Sequence, residues 1–377
     1  MAKRLRVGLI FGGRSGEHEV SIRSASSVIE AINPRKYDVL PIAITKEGKW
    51  LSPNAAAELL TESARSFLSA GAIKTSSDVA ILGDPSQRGL VSLDVNGRPL
   101  PPEHIDVVLP VLHGPFGEDG TIQGLLEMAH VPYVGCGVLA SSCGMDKVAM
   151  KSLFKEAGLP ICKYIWFLRS QWKHNREDVL RKISREIGFP CFVKPANLGS
   201  SVGVSKAIDK KSLVQSVILA ARYDRKVIVE EGLDAREIEC AAIGNDEAEA
   251  SLPGEYVVHD EAARFLDYTE KYTSTGHVDF VVPAPISKSM TAKIQRLAVR
   301  AFRSIDGAGL ARVDFFLKRD TKELLVNELN TMPGLTEVSG YPKMWAASGL
   351  SFPHLLDRLI ELAFERHRDK SQNKISI

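Results

Sequence analysis

Ala311-Arg312-Val313-Asp314-Phe315-Phe316, followed after a charged linker by Leu324-Leu325-Val326-Asn327-Glu328-Leu329-Asn330, sets polar residues at alternate places in two apolar runs. Side chains alternate faces along a strand, so Arg312 and Asp314 share one face and Glu328 and Asn330 share another. The linker Lys318-Arg319-Asp320-Thr321-Lys322-Glu323 reads as a hairpin turn. Centred near Thr321, it puts Asp314 opposite Glu328 and Arg312 opposite Asn330. Three oxygen donors then stand beside one guanidinium. Mg²⁺ favours carboxylate and amide oxygens and commonly shares its shell with substrate phosphates, while the arginine fork matches phosphate geometry. The hairpin predicts metal-bound nucleotide chemistry. Alone, a solvated polar face would give the same pattern, and the rest of the chain decides between the two.

The 377 residues are long enough for two or three domains, with 44% hydrophobic and 25% charged residues and a formal charge of +2. No basic excess points to nucleic acid, and no apolar run reaches the ~20 residues that span a bilayer. The opening Met1-Ala2-Lys3-Arg4 is basic, but Val7–Phe11 is too short for a signal sequence and runs into Gly12-Gly13, so it reads as a first strand. Cys136, Cys143, Cys162, Cys191 and Cys240 are odd in number and form no Cys-x-x-Cys pair. Buried thiols in a reducing cytoplasm are expected, with neither zinc site nor disulfide framework.

Residues 5–11 as a strand, the loop 12–19 and a helix over 20–32 make a β-loop-α opening, and 39–44 and 105–112 add buried strands of a mostly parallel sheet. Residues 52–104 predict a helix and then a small excursion. Gly135-Cys136-Gly137-Val138-Leu139-Ala140 matches a dinucleotide fingerprint, but the elements around it do not continue as a Rossmann repeat, and it reads as a domain-crossing turn. A second unit follows: helix 146–157, strand 162–167, charged helix 170–186, and an apolar strand that carries Lys194. The small-residue loop Gly199-Ser200-Ser201-Val202-Gly203, between strand-like flanks, predicts a hairpin lid able to hold backbone N–H groups against an anion. Val227–Leu233 reads as a hinge strand against which adenine stacks, 261–277 as a long functional loop with clustered aromatics, and 352–364 as a helix before a frayed basic tail from Glu365.

In this order, Lys194, the lid, the Val229-Glu230-Glu231 hinge and the Asp314/Glu328/Asn330 hairpin resemble an ATP-grasp enzyme. Gly12-Gly13-Arg14-Ser15-Gly16-Glu17-His18-Glu19-Val20-Ser21, His113-Gly114-Pro115-Phe116-Gly117-Glu118-Asp119-Gly120, Gly144-Met145-Asp146-Lys147 and Asn330-Thr331-Met332-Pro333-Gly334-Leu335-Thr336 narrow the resemblance to the D-alanine–D-alanine ligase family, over about residues 4 to 365. The resemblance implies an α/β, three-domain ATP-grasp fold: an N-terminal parallel-sheet α/β domain (1–136) and two α+β domains (137–230 and 231–377) that clasp ATP. It implies ATP, two Mg²⁺ (or Mn²⁺) ions, a possible K⁺ requirement and a cytoplasmic homodimer. The implied reaction joins two D-alanine molecules through a D-alanyl phosphate for peptidoglycan. A D-alanine–D-lactate ligase and a noncatalytic ATP-binding regulator are the rivals.

By the same resemblance, Asp314, Glu328 and Asn330 hold the metals. Lys147 and Lys194 bind phosphates, as do Ser200 and Ser201 of the lid, and Glu230, Glu231, Leu233, Glu237 and Lys271 complete the nucleotide site. Glu17 receives the first D-alanine's ammonium and is linked through Ser200 to Tyr272. His113 stands beside the first substrate. Arg312 and the Gly334 N–H stabilise the oxyanion, and Ser339 meets the second carboxylate. Tyr272, where ester-forming relatives carry Phe or His, predicts the dipeptide.

Overall fold

Three main sheets, each with its own helices, follow one another along the chain. In this computed structural model the described residues are 3–68, 79–87, 89–92, 98, 102–258 and 278–374. Lys271, Tyr272 and the aromatic loop around them lie outside the described residues.

The opening unit contains β1 (Leu5–Gly12), α1 (His18–Ala31), β2 (Tyr37–Ile44), β3 (Trp50–Leu51), α2 (Pro53–Ala57) and α3 (Glu62–Phe67). After these come β4 (Val79–Ile81), β5 (Gly89–Ser92), β6 (Glu103–His104), β7 (Val107–Pro110) and α4 (Thr121–Met128). β1 runs parallel to both β2 and β7, and the order is β3-β2-β1-β7. Such a strand is covered on both faces, which is why LRVGLIFG is nearly unbroken in its apolar character. The predicted excursion is a small antiparallel sheet, β4-β5-β6. α1 starts two residues before the expected Val20 because His18 is itself buried and ties its ring Nδ1 to Gly13 O at 2.9 Å. Gly12 and Gly13 turn the chain at φ 89° and 96°, and a side chain at Gly12 would run into the Ile44 carbonyl.

α5 (Val138–Met145) and α6 (Lys147–Glu156) precede the second sheet in sequence but pack with the third: Ala140, Met150 and Phe154 share a core with Ile294, Phe302, Val313 and Val326. Asp146 caps α6, accepting from the N–H groups of Val148 and Ala149 at 3.0 Å each. The second sheet is antiparallel, ordered β10-β9-β11-β8, from β8 (Tyr164–Leu168), β9 (Cys191–Pro195), β10 (Ser205–Ala207) and β11 (Lys226–Glu231). The expected helix 170–186 is two, α7 (Arg169–His174) and α8 (Arg176–Glu186), broken at Asn175, whose φ/ψ of −130°/42° is not helical. α9 (Lys210–Tyr223) covers this sheet.

The third sheet takes β12 (Ala235–Gly244), β13 (Ala248–Ala250), β14 (Gly254–Val258), β15 (Val278–Val281), β16 (Gly309–Lys318) and β17 (Leu324–Asn330), in the order β15-β14-β12-β16-β17 with β13 also on β12. α10 (Lys288–Ser304), α11 (Gly340–Ala347) and α12 (Phe352–Lys370) complete the fold. Arg312 faces Asn330 and Asp314 faces Glu328, the pairing expected from a turn near Thr321. One step further on, Phe315 faces Val326, so Asn327 is an extra residue at a β-bulge beside Glu328. The basic tail is not frayed at Glu365. α12 continues to Lys370 because Arg366 donates to the carbonyls of Tyr133 and Gly135 and lies over the Tyr133 ring. One apolar core joins Val7, Leu9, Leu109 and Val111 of the first unit to Leu310, Tyr341, Trp345 and Leu359, fixing the first and third units against each other.

Candidate active site

Two lysines and one buried acid organise the side where the nucleotide is expected. β9 puts Lys194 across from Ile228 of β11, and its Nζ reaches Glu230 Oε2 at 2.7 Å. The other carboxylate oxygen lies 3.0 Å from Lys151 Nζ. Glu230 is 3% exposed and Lys151 is 1% exposed, so this is a buried charged triad in which one carboxylate holds two ammoniums. Burial works against Glu230's charge, but Lys151 and Lys194 outweigh it and bring its pKa down to about 2. Burial likewise works against Lys194, and Glu230 followed by Glu328 overcomes it, keeping the ammonium charged.

Lys147 lies one turn before Lys151 on α6. Its Nζ donates to Leu198 O of the lid loop at 2.8 Å and lies 3.6 Å from Glu328 Oε2. Lid and β16–β17 hairpin therefore meet at one ammonium. Lys147 and Lys151 are four apart on α6 and so project from one helix face. The lid is the predicted hairpin between β9 and β10, with Ser200 and Ser201 both at positive φ (54° and 56°). Ser201 is exposed, while Ser200 Oγ is buried with no hydrogen-bond partner among the described residues. At the hinge, Glu231 donates its N–H to Lys163 O at 3.0 Å and accepts from Lys163 N–H at 2.7 Å. Leu233 and Glu237 follow, both half-buried.

On the other side, Arg312 makes a bidentate pair with Asp314, at 2.7 and 2.8 Å, and lies 3.2 Å from Glu239. Glu239 is opposite Asp314 across β12 and β16. It is a third buried acid that the opening pattern did not single out, although Glu237 and Glu239 alternate on one strand face just as Arg312 and Asp314 do. Among the described residues, no group of three or more His, Cys, Asp or Glu side chains is arranged to share a metal. The expected set is two carboxylates and an amide, all hard oxygen donors on facing strands, and that chemistry fits a divalent cation.

The loop after β7 closes the side where the first substrate is expected. His113 Nδ1 is 3.0 Å from Met332 O and Nε2 is 3.1 Å from Ser24 Oγ. Since a carbonyl only accepts, Nδ1 carries the proton, and Ser24 donates to Nε2. Burial lowers the histidine's pKa, which agrees with a neutral ring. Glu17 precedes α1 without capping it through its side chain. Its Oε2 lies where a Cβ on Gly114 would come within 2.9 Å and one on Gly199 within 3.4 Å, so the carboxylate sits between the substrate loop and the lid. Glu118, absent from the expected site, accepts from Gly114 N–H at 2.5 Å and Met332 N–H at 3.3 Å. Burial and then the nearby Glu17 push its pKa up to about 8. Ser339 Oγ is 2.7 Å from Thr336 Oγ1, and a Cβ on Gly334 would come within 2.9 Å of it.

Lys147 thus joins the lid to Glu328 of the hairpin, and Glu17 lies between the lid and the loop after β7. Family models described as D-ala D-ala ligase N-terminus and D-ala D-ala ligase C-terminus match residues 6–136 and 153–361. A D-alanine–D-alanine ligase of Heliobacterium modesticaldum is 47% identical over 97% of this chain and 96% of that protein, and one of Ruminiclostridium cellulolyticum is 48% identical over 98% and 97%. Among solved structures, the VanG D-Ala:D-Ser ligase from Enterococcus faecalis is similar with a TM-score of 0.81 and 35% identity, over 96% of this chain and 100% of that one. The D-alanine–D-alanine ligase from Coxiella burnetii gives 0.81 and 34%, over 98% and 97%. The chain belongs to the D-alanine–D-alanine ligase family, ATP-dependent carboxylate–amine ligases of the ATP-grasp fold.

Proposed function

We propose that this protein joins two D-alanine molecules into D-alanyl-D-alanine at the expense of ATP, with the residues gathered in the cleft in the following roles. A carboxylate is a poor acyl donor, so the γ-phosphoryl group passes first to the carboxylate of the first D-alanine. The amine of the second then attacks the acyl phosphate carbonyl and expels phosphate. Lys147 and Lys194 hold triphosphate oxygens as point charges. Asp314, Glu328 and Asn330 are the residues that would hold the Mg²⁺ ions, which supply charge neutralisation to the triphosphate. Glu17 takes the first substrate's ammonium, and His113, held neutral by Ser24 and the Met332 carbonyl, shapes the pocket beside it. Arg312 and the Gly334 N–H meet the oxyanion formed on amine attack, where preorganised donors act on developing charge. Ser339 is placed for the second carboxylate. The lid carries Ser200 over the phosphates and excludes water from the acyl phosphate.

The observation that carries this reading is Lys147 Nζ, at 2.8 Å from the lid carbonyl Leu198 O and 3.6 Å from Glu328 Oε2. One cation links the loop that must close with the acid that must hold metal. The test is ADP release from Mg-ATP with D-alanine, L-alanine, or D-alanine plus D-serine or D-lactate, with products identified by mass. D-alanine-dependent ADP with the dipeptide as sole product is the expected result. An ester or a D-alanyl-D-serine product preferred over the dipeptide would overturn the acceptor assignment, and no D-alanine-dependent ADP from folded protein would overturn the reaction.

A further inference from the structure

Glu118 lies behind the substrate loop, 6% exposed, and reaches two separate chain segments. Oε2 accepts from Gly114 N–H in its own loop, and Oε1 from Met332 N–H, 214 residues away, in the loop that leads to Gly334. His113 meets the same residue from the other side, donating from Nδ1 to Met332 O. Both polar groups of Met332 are therefore taken by side chains five residues apart. The grip is anchored in turn: His113 to Ser24 of α1, and the Gly117 carbonyl to the buried Gln123 amide of α4 at 2.8 Å.

We propose that Glu118 is a positioning residue for peptide-bond formation: with His113 it clamps the Met332 backbone and so fixes the 331–334 loop from which the Gly334 N–H is presented. The proposal rests on the functional reading above, which assigns that N–H to the oxyanion. Gly114 separates the two acids: its N–H points to Glu118 while its α-carbon faces Glu17. Glu17 is thus the acid on the lid side, and Glu118 acts through the loop and not on substrate. The clamp also explains the residue type. Two N–H donors need two acceptor oxygens; a carboxyl keeps an acceptor lone pair on each oxygen whether or not it carries a proton, whereas glutamine would offer one oxygen and an NH₂ group, setting donor against donor at one of the two contacts.

Glu118→Gln tests this. A loosened oxyanion loop slows attack by the second amine more than it slows phosphoryl transfer. Stranded D-alanyl phosphate then meets water, whose oxygen adds to the carbonyl carbon as the acyl C–O bond to phosphate breaks, returning D-alanine and phosphate. We expect kcat for dipeptide to fall about 10- to 100-fold, as for other small misplacements of a reacting group. KM for ATP should stay within about twofold, and ADP formed per dipeptide should rise above the wild-type value of about one. A role in stability alone would lower the active fraction without moving that ratio. Glu118→Asp, whose stem is one carbon too short to hold the Gly114 and Met332 N–H groups together, carries the test with the same expected losses if the glutamine variant does not fold. Either folded variant with wild-type kcat and a ratio of one overturns the proposal, as does failure of both to fold, which would make the carboxylate a folding determinant. A wild-type protein without D-alanine-dependent ADP would overturn the functional reading and the clamp together; coupled turnover in wild type with no change in the variants would overturn the clamp alone.

Discussion

Glu230 offers the sharpest test of what holds the nucleotide side together, because one buried carboxylate keeps two buried ammoniums. Glu230→Gln leaves Lys151 and Lys194 facing one another through a neutral amide, in a place where Lys151 is 1% exposed. The drop of its pKa from 4.5 to about 2 is worth about 3 kcal/mol at about 1.4 kcal/mol per tenfold, in the range measured when a buried ion pair loses one partner. Lys151→Met is milder. It removes the 3.0 Å contacts to Glu230 and to the Asn327 carbonyl, yet it leaves the 2.7 Å Lys194–Glu230 pair as a neutral unit and adds apolar packing. The expected order of loss in urea unfolding at pH 7 is therefore Glu230→Gln above Lys151→Met, with the first about 3 kcal/mol. The pH dependence has a definite sign. A depressed carboxylate pKa stabilises the fold above the unfolded value of 4.5, and that stability drains away as pH falls toward about 2. The gap between wild type and Glu230→Gln should thus be full at pH 5 to 7, narrow below 4.5 and close near 2. A gap that does not change with pH, or a Lys151→Met variant less stable than Glu230→Gln, would refute the charge accounting.

Two further outcomes follow from the substrate side. Arg312→Gln should lower kcat about 100- to 1,000-fold, as loss of one oxyanion donor does elsewhere, and should weaken the restraint on Asp314 that its 2.7 and 2.8 Å bonds now supply. Steady-state kinetics at several Mg²⁺ concentrations would read both effects, and a kcat within threefold of wild type would remove Arg312 from the chemistry. Gly114→Ala places a methyl 2.9 Å from Glu17 Oε2 at a residue with φ of 75°, so it should cost about 1 kcal/mol of stability and raise KM for the first D-alanine by more than it raises KM for ATP. Equal effects on both constants would show that Gly114 does not shape the ammonium pocket.

What the sequence makes legible, and what it hides, follows from the range over which each feature is decided. The facing of Asp314 and Glu328 is local: a period-2 pattern on each side of a charged turn is enough to set the register. The lid hairpin is local in the same sense, and so is the unbroken apolar run of β1 that marks a doubly covered strand, although its pairing with β7 sets Val7 against Val107. The split of the charged helix at Asn175 and the continuation of α12 to Lys370 were not legible. The first depends on one backbone angle, and the second on Arg366 finding carbonyls at Tyr133 and Gly135, more than 230 residues away.

The supporting charges were hidden for the same reason. Lys147 and Lys194 stand in recognisable motifs, but Lys151 reads as one more lysine on an amphipathic helix until β11 brings Glu230 beneath it. The bulge makes the consequence plain. By inserting Asn327 opposite no partner, β17 turns one carbonyl out of the ladder, and Lys151 takes it at 3.0 Å in the residue immediately before Glu328. The lysine that steadies Glu230 thus also fixes the strand that carries Glu328, the proposed metal ligand. A pattern read along one strand can find Glu328, but only packing of α6 against that strand reveals what keeps it in place.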